Sequence, residues 1–142
     1  MPKIKVLLVE DSAVAINIYE KMLNSSSHIE VIGKAGDGKQ GLELVKALNP
    51  DVICADLQMP VMDGLEFTRQ VMAQHPTPIL VLSNAVQKSD IDNIYEVMKA
   101  GAVDVMAKPQ TAMGGSSESM QNELIVKIRV LATKKVKAIP LG

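Results

Sequence analysis

Short apolar runs that recur between amphipathic stretches constrain this chain more than any other feature of its sequence. Ile4–Val9, Val52–Ala55, Ile79–Leu82 and Val103–Met106 are brief and rich in β-branched residues, and Ile29–Gly33 is a weaker fifth. Runs of that length and composition fit strands buried on both faces, as in parallel sheets. Between them, Val14, Ile18 and Met22 fall on one helical stripe, with Ala15, Tyr19 and Leu23 beside it. Leu42, Val45 and Leu48 make a second stripe, and Leu65, Thr68 and Met72 a third. Ile91, Ile94 and Met98 make a fourth, and Leu124, Ile128 and Leu131 a fifth. The alternation predicts an α/β fold of the (βα)5 type: a doubly wound, five-stranded parallel sheet with helices on both faces.

Boundary signals agree with that division. Asp63 followed by Glu66, and Asp37 followed by Gln40, have the spacing of capping boxes. Ser89 or Asp90 can cap the fourth helix, and Gly101 can end it. Pro76 and Pro78 break the chain before the Ile79 run. The Gly- and Ser-rich segment Pro109–Ser119 reads as a loop longer than most. Ala132–Gly142, with Lys134, Lys135, Lys137 and Pro140, reads as a frayed helix end entering a linker. One domain over residues 1–131 and a tail over 132–142 are therefore expected.

A chain of 142 residues is the size of one domain, and a fold of that length buries about 68% of its unfolded surface. The core must be aliphatic, because Tyr19, Phe67 and Tyr95 are the only aromatics, and nine Met must help to fill it. A net charge of −1 supplies no broad pull toward nucleic acid or anionic lipid. The lone cysteine, Cys54, excludes an internal disulfide and sits in an apolar run, as a buried thiol does. No apolar stretch approaches the ~20 residues needed to span a bilayer, and the N-terminus lacks the pattern of a cleavable signal. A cytoplasmic protein without direct membrane or nucleic-acid contact is expected.

In open α/β sheets, ligands bind outside the carboxyl ends of the strands. Glu10 and Asp11 follow the first run, Asp56 the Val52 run, Ser83 the Ile79 run, and Lys108 comes shortly after Met106. Three carboxylates, a hydroxyl and an ammonium thus converge on one edge. Two carboxylates about 4 Å apart cost about 4 kcal/mol at an effective dielectric near 20, so something cationic must offset them. A hard divalent ion such as Mg²⁺ does so with oxygen ligands and a phosphate oxygen. Lys108 can hold an anion and Ser83 can donate to it. Such a site suits an aspartyl phosphate, formed by in-line attack of a carboxylate on phosphorus. Taken singly, each residue has a plainer reading: Glu10-Asp11 as a polar turn, Asp56 as a strand end, Ser83 as a turn residue and Lys108 as a surface lysine.

Those residues, in their order, resemble the receiver domain of two-component response regulators. The resemblance rests on Glu10-Asp11-Ser12, on Asp56-Leu57-Gln58-Met59-Pro60-Val61-Met62-Asp63-Gly64, on Gly101-Ala102-Val103-Asp104 and on Lys108-Pro109, and it runs from about Ile4 to Val130. Pro50-Asp51-Val52, Met62–Glu66 and Pro76–Ile79 are similar to the receiver domain of chemotaxis protein-glutamate methylesterases. The resemblance implies a flavodoxin-like receiver fold in which Asp56 accepts phosphoryl from a sensor histidine kinase. It implies that Asp11, Asp56 and the backbone carbonyl of Gln58 ligate Mg²⁺, with Glu10 acting through water. Ser83 would sense the phosphoryl group and Lys108 would pair with it, aimed by a cis bond to Pro109. An output domain or downstream protein would be the regulated partner, with room for oligomerisation on phosphorylation; the chain would be no enzyme beyond its own phosphorylation and dephosphorylation.

Two positions depart from the family pattern. Val105 stands where receivers commonly carry Tyr or Phe, so coupling through an aromatic switch is in doubt. Asn84 follows the sensing hydroxyl where a smaller residue is usual, and its bulk is expected to restrict access to the phosphoryl group. Other readings are a receiver-like binding module that works without phosphorylation, and the regulatory half of a chemotaxis methylesterase. A haloacid-dehalogenase-like phosphatase wants an acid where Gln58 stands, and a flavodoxin-type nucleotide site would be repelled by Glu10-Asp11. His28 and His75 fall in turns and make no Ser/His/Asp set, and the Lys134–Lys137 cluster lacks the aromatics of a nucleic-acid site.

Overall fold

Strands and helices alternate strictly, each strand growing from an apolar run. They are β1 (Ile4–Val9), α1 (Ala13–Asn24), β2 (Ile29–Ala35), α2 (Gly38–Leu48), β3 (Val52–Asp56), α3 (Gly64–Gln74), β4 (Ile79–Ser83), α4 (Lys88–Lys99), β5 (Asp104–Ala107) and α5 (Ser117–Leu131). The computed structural model describes residues 3–83, 88–107, 117–134, 136–139 and 141. The strand order is β2-β1-β3-β4-β5, and every neighbouring pair is parallel. The expected α/β, doubly wound, five-stranded sheet is the fold observed. Among the described residues, no helix is long and apolar enough to cross a membrane.

Successive side chains of a strand point to opposite faces, so each strand feeds two cores. Val6, Leu8, Val52, Cys54, Leu80 and Leu82 meet α1 and α5 through Tyr19, Leu23, Leu124 and Ile128. Leu7, Val9, Ile53, Ala55, Ile79 and Val81 meet α2, α3 and α4 through Val45, Phe67, Val71 and Val97. Both clusters are almost wholly aliphatic, as the composition requires.

Capping places the helices. Asp63 and Asp37 accept from the amides of Glu66 and Gln40 at 2.9 Å each, in line with the capping-box reading. Gly101, at φ +122°, ends α4 as expected. Its N–H donates to the Met98 carbonyl and that of Ala102 to the Val97 carbonyl, both at 3.1 Å, the paired bonds of a Schellman turn.

Five local expectations are corrected. Val14 is 70% exposed rather than part of the inner stripe; the buried face of α1 runs through Tyr19, Met22 and Leu23, with Ala15 and Ile16 packed on the same core. The inner face of α2 is Gly38, Gly41 and Val45 rather than Leu42, Val45 and Leu48; two glycines bring the helix close, a role hidden behind their reputation as helix breakers. Among the described side chains of α4 the buried one is Val97, and Met98 is 39% exposed. Ser89 and Asp90 lie inside the first turn of α4, which starts at Lys88, and α5 starts at Ser117, inside the segment expected to be a loop. The side chain of Ile91 lies outside the described residues.

Two outcomes are expected. A Cβ built on Gly41 would lie 2.9 Å from both Phe67 Cε1 and Val9 Cγ2, and both neighbours are fully buried. Overpacking, at about 1–3 kcal/mol, therefore outweighs the gain of about 1 kcal/mol in helix propensity. Urea denaturation of Gly41→Ala is expected to show a net loss of stability rather than a gain. Burial also pushes the Cys54 thiol up to about 12. Cys54 should accordingly be silent toward a thiol reagent in native buffer and titrate as one equivalent in denaturant.

Candidate functional site

At the carboxyl edge of the sheet, β1 and β3 lie side by side and end in acids. Val9 pairs with Ala55, so the next residues, Glu10 and Asp56, emerge as neighbours. Glu10 and Asp56 are buried, at 2% and 5% exposure, while Asp11 faces solvent. One carboxylate oxygen from each of Glu10, Asp11 and Asp56 lies within 4.8 Å of the others. The three sequence-predicted acids are therefore brought together, two of them with little water to share their charge.

Local backbone donors shape the cluster. Ser12 caps α1, its hydroxyl accepting from the Ala15 amide at 3.2 Å. The amide of Ser12 itself donates to Glu10 Oε2 at 2.9 Å, turning that carboxylate back over the helix start. The Gln58 amide donates to Asp56 Oδ1 at 3.3 Å. Gly64 closes the β3–α3 loop: its N–H donates to the Leu57 carbonyl at 2.8 Å, and a Cβ there would lie 2.5 Å from the Asp56 carbonyl oxygen. No residue but glycine lets α3 start so near the acidic strand end.

Ser83 ends β4 at 4% exposure, paired with Ala107 at the end of β5. Lys108 is next in sequence and, with Pro109, lies outside the described residues, as does Asn84. Val105 occupies β5, partly buried against the α2–α4 core.

Beneath the cluster lies a side chain whose role the sequence did not signal. Tyr19 of α1 is 2% exposed. Burial first, then the negative charge of Glu10 and of Asp56, raise its phenol above the ordinary range. It stays protonated there, an uncharged floor under the acids. The stripe reading placed Tyr19 beside the inner face but held no hint that it faces the acids; only the alternation of β1 and β3, which turns Glu10 and Asp56 toward the α1 side, reveals it.

The donor set fits a hard divalent cation. All its charged members are oxygen donors, and their number and spacing suit an ion that keeps waters and a further anionic ligand. Without a counter-charge, two such carboxylates under 5 Å apart repel by roughly 3–4 kcal/mol at an effective dielectric near 20.

Comparison with known proteins agrees with this geometry. The family model described as "Response regulator receiver domain" matches residues 6–113. A protein-glutamate methylesterase/protein-glutamine glutaminase of Methanococcus maripaludis is 41% identical over 137 residues, 96% of this chain and 37% of the relative. Its counterpart in Dechloromonas aromatica is 36% identical over 140 residues, 99% of this chain and 40% of the relative. The chain thus spans about two fifths of the length of these curated relatives. The response regulator domain of Thermotoga maritima CheB superposes with a TM-score of 0.82 at 31% identity, covering 94% of this chain and 98% of that one. Vibrio cholerae chemotaxis protein CheY4 superposes at 0.73 with 28% identity, covering 91% and 98%. With its sheet order, its acidic strand ends and these matches all in agreement, the chain belongs to the response regulator receiver domain family.

Proposed function

We propose that this receiver domain is a phosphorylation-dependent switch whose acceptor is Asp56. The observation that carries the reading is the buried Asp56 carboxylate at the strand end, with the oxygens of Glu10 and Asp11 within 4.8 Å. Mg²⁺ would be held there by Asp11, Asp56 and the Gln58 carbonyl, with Glu10 acting through water, and would supply positive charge to offset that of the phosphoryl oxygens. The chain's own residues do the rest. An Asp56 carboxylate oxygen attacks phosphorus in line as the phosphorus–nitrogen bond of a sensor kinase's phosphohistidine breaks, and imidazole leaves with the bond electrons. The amide of Gln58 donates to Asp56 Oδ1 and so helps to orient the carboxylate. Ser83 donates a hydrogen bond to the new phosphoryl group, and Lys108 pairs with it.

The added charge must bias an element with two packings. Helix α4 fits that part. Among its described side chains only Val97 is buried, while Tyr95 and Met98 are exposed. Segments with few buried apolar anchors, as over residues 92–99, open at small cost. Its displacement, with that of β5, would alter the face offered to an output domain or partner. The methylesterase relatives support an output of that class, carried in the part of those proteins that this chain does not span.

Incubation with acetyl phosphate and Mg²⁺ followed by intact-mass measurement tests the reading. A gain of one phosphoryl group is expected in the wild type, none in Asp56→Asn, and none when the divalent ion is chelated. An unmodified wild-type mass across a range of donors and ions would instead favour a binding module that works without phosphorylation.

A further inference from the structure

Every α-helix leaves its last four carbonyls without helical donors. In α3 the His75 N–H serves the Val71 carbonyl. The next carbonyl in register, that of Met72, would look to residue 76. Residue 76 is Pro76, which has no N–H to give. The Met72 carbonyl is instead met from far along the chain: the Ile139 N–H donates to it at 2.9 Å.

Side chains reinforce that bond. Gly101, which caps α4 at φ +122°, faces both partners: a Cβ built there would lie 2.8 Å from Met72 Cγ and 2.9 Å from Ile139 Cδ1. The absence of a side chain at 101 is thus what lets Ile139 reach Met72. Three residues earlier, Val136 packs on the core cluster that α2, α3 and α4 share. Leu131 and Ala132 belong to the opposite cluster, under α1 and α5. Between Ala132 and Val136 the chain therefore crosses from one helical layer to the other. Both α3 and α4 end where the following strands begin, so the crossing lies at the end of the sheet away from the acidic cluster.

We propose that Val136–Ile139 is a strap, docked on the C-terminal ends of α3 and α4, that fixes the path by which the chain leaves the domain. Its binding surface is intramolecular: one orphan carbonyl, one glycine cap and an apolar seat for Val136. The strap thus holds Ile139 beside the α4 cap rather than at the end of α5. The strap goes beyond the phosphorylation reading and does not depend on it.

Amide hydrogen exchange followed by NMR on the full chain decides the matter. The Ile139 amide is expected to exchange at least about tenfold more slowly than a free-chain amide. Backbone order parameters over 136–139 should lie near the rigid value of roughly 0.85 rather than below about 0.6. In Ile139→Asp, which keeps the amide but replaces the apolar contact, protection at position 139 should fall to the free-chain rate. Slow exchange at Val6–Val9 and Ile79–Leu82 in the same spectra shows that the variant is folded. An Ile139 amide that exchanges freely in the wild type overturns the strap, and so does protection at 139 that survives the Asp substitution.

Discussion

Mutual repulsion among Glu10, Asp11 and Asp56 is the interaction around which the site edge is arranged. Two of the three acids are buried, and burial raises the cost of their charge because water no longer screens it. The fold cannot relieve this by moving them apart, since Glu10 and Asp56 follow the adjacent residues Val9 and Ala55 of one parallel ladder. Among the described bonds, the amides of Ser12 and Gln58 each donate to one carboxylate oxygen. Such a cluster of oxygen donors is the kind of set that a hard divalent cation would neutralise.

The parallel sheet explains why so much was legible from the sequence. When every strand runs the same way, residues following apolar runs must gather at one edge, so Glu10, Asp11, Asp56 and Ser83 could be grouped from position alone. The helices were less legible. A period of 3.6 identifies a stripe but not which neighbouring residue lies at its centre, and Val97 rather than Met98 occupies the centre in α4. Glycines hid most. Gly38, Gly41 and Gly64 carry no hydrophobic signal, yet each marks a point where two segments approach closer than a side chain allows. Tyr19 escaped for another reason: its relation to the acids exists only once two strands are paired.

An aliphatic core bears on how a change at Asp56 could travel. Packed interiors transmit displacement through discrete rearrangements rather than smooth deformation. Here the β5 position three residues before Lys108 is Val105, a small β-branched side chain with restricted χ1, partly buried against the α2–α4 core. A ring that swings between inside and outside is unavailable there. The α4 layer, by contrast, rests on Val97 with Ile94 packed beside it, and its C-terminal cap depends on the positive φ of Gly101. Among its described side chains that footing is Val97 and Ile94 alone. Under the proposed switch, α4 rather than a side chain at position 105 would then carry the displacement.

The loop between acceptor strand and α3 shows how the site holds its shape. Val61 sits at φ +67°, a conformation that β-branched residues rarely adopt. The Met62 N–H donates to the Pro60 carbonyl at 2.7 Å, closing a γ-turn of the rarer, positive-φ form around Val61. Such a conformation costs on the order of 1–3 kcal/mol and survives only where neighbours over-determine it. They do so on both sides. Pro60 has its own φ fixed by its ring. Downstream, Met62 presses its carbonyl on Gly38 of α2, where any Cβ would collide, and Gly64 is bonded back to Leu57. With both ends pinned, Val61 has no other way to bridge them, and its exposed side chain meets no obstacle in solvent. The strain is therefore a consequence of seating α3 tightly against the Asp56 backbone.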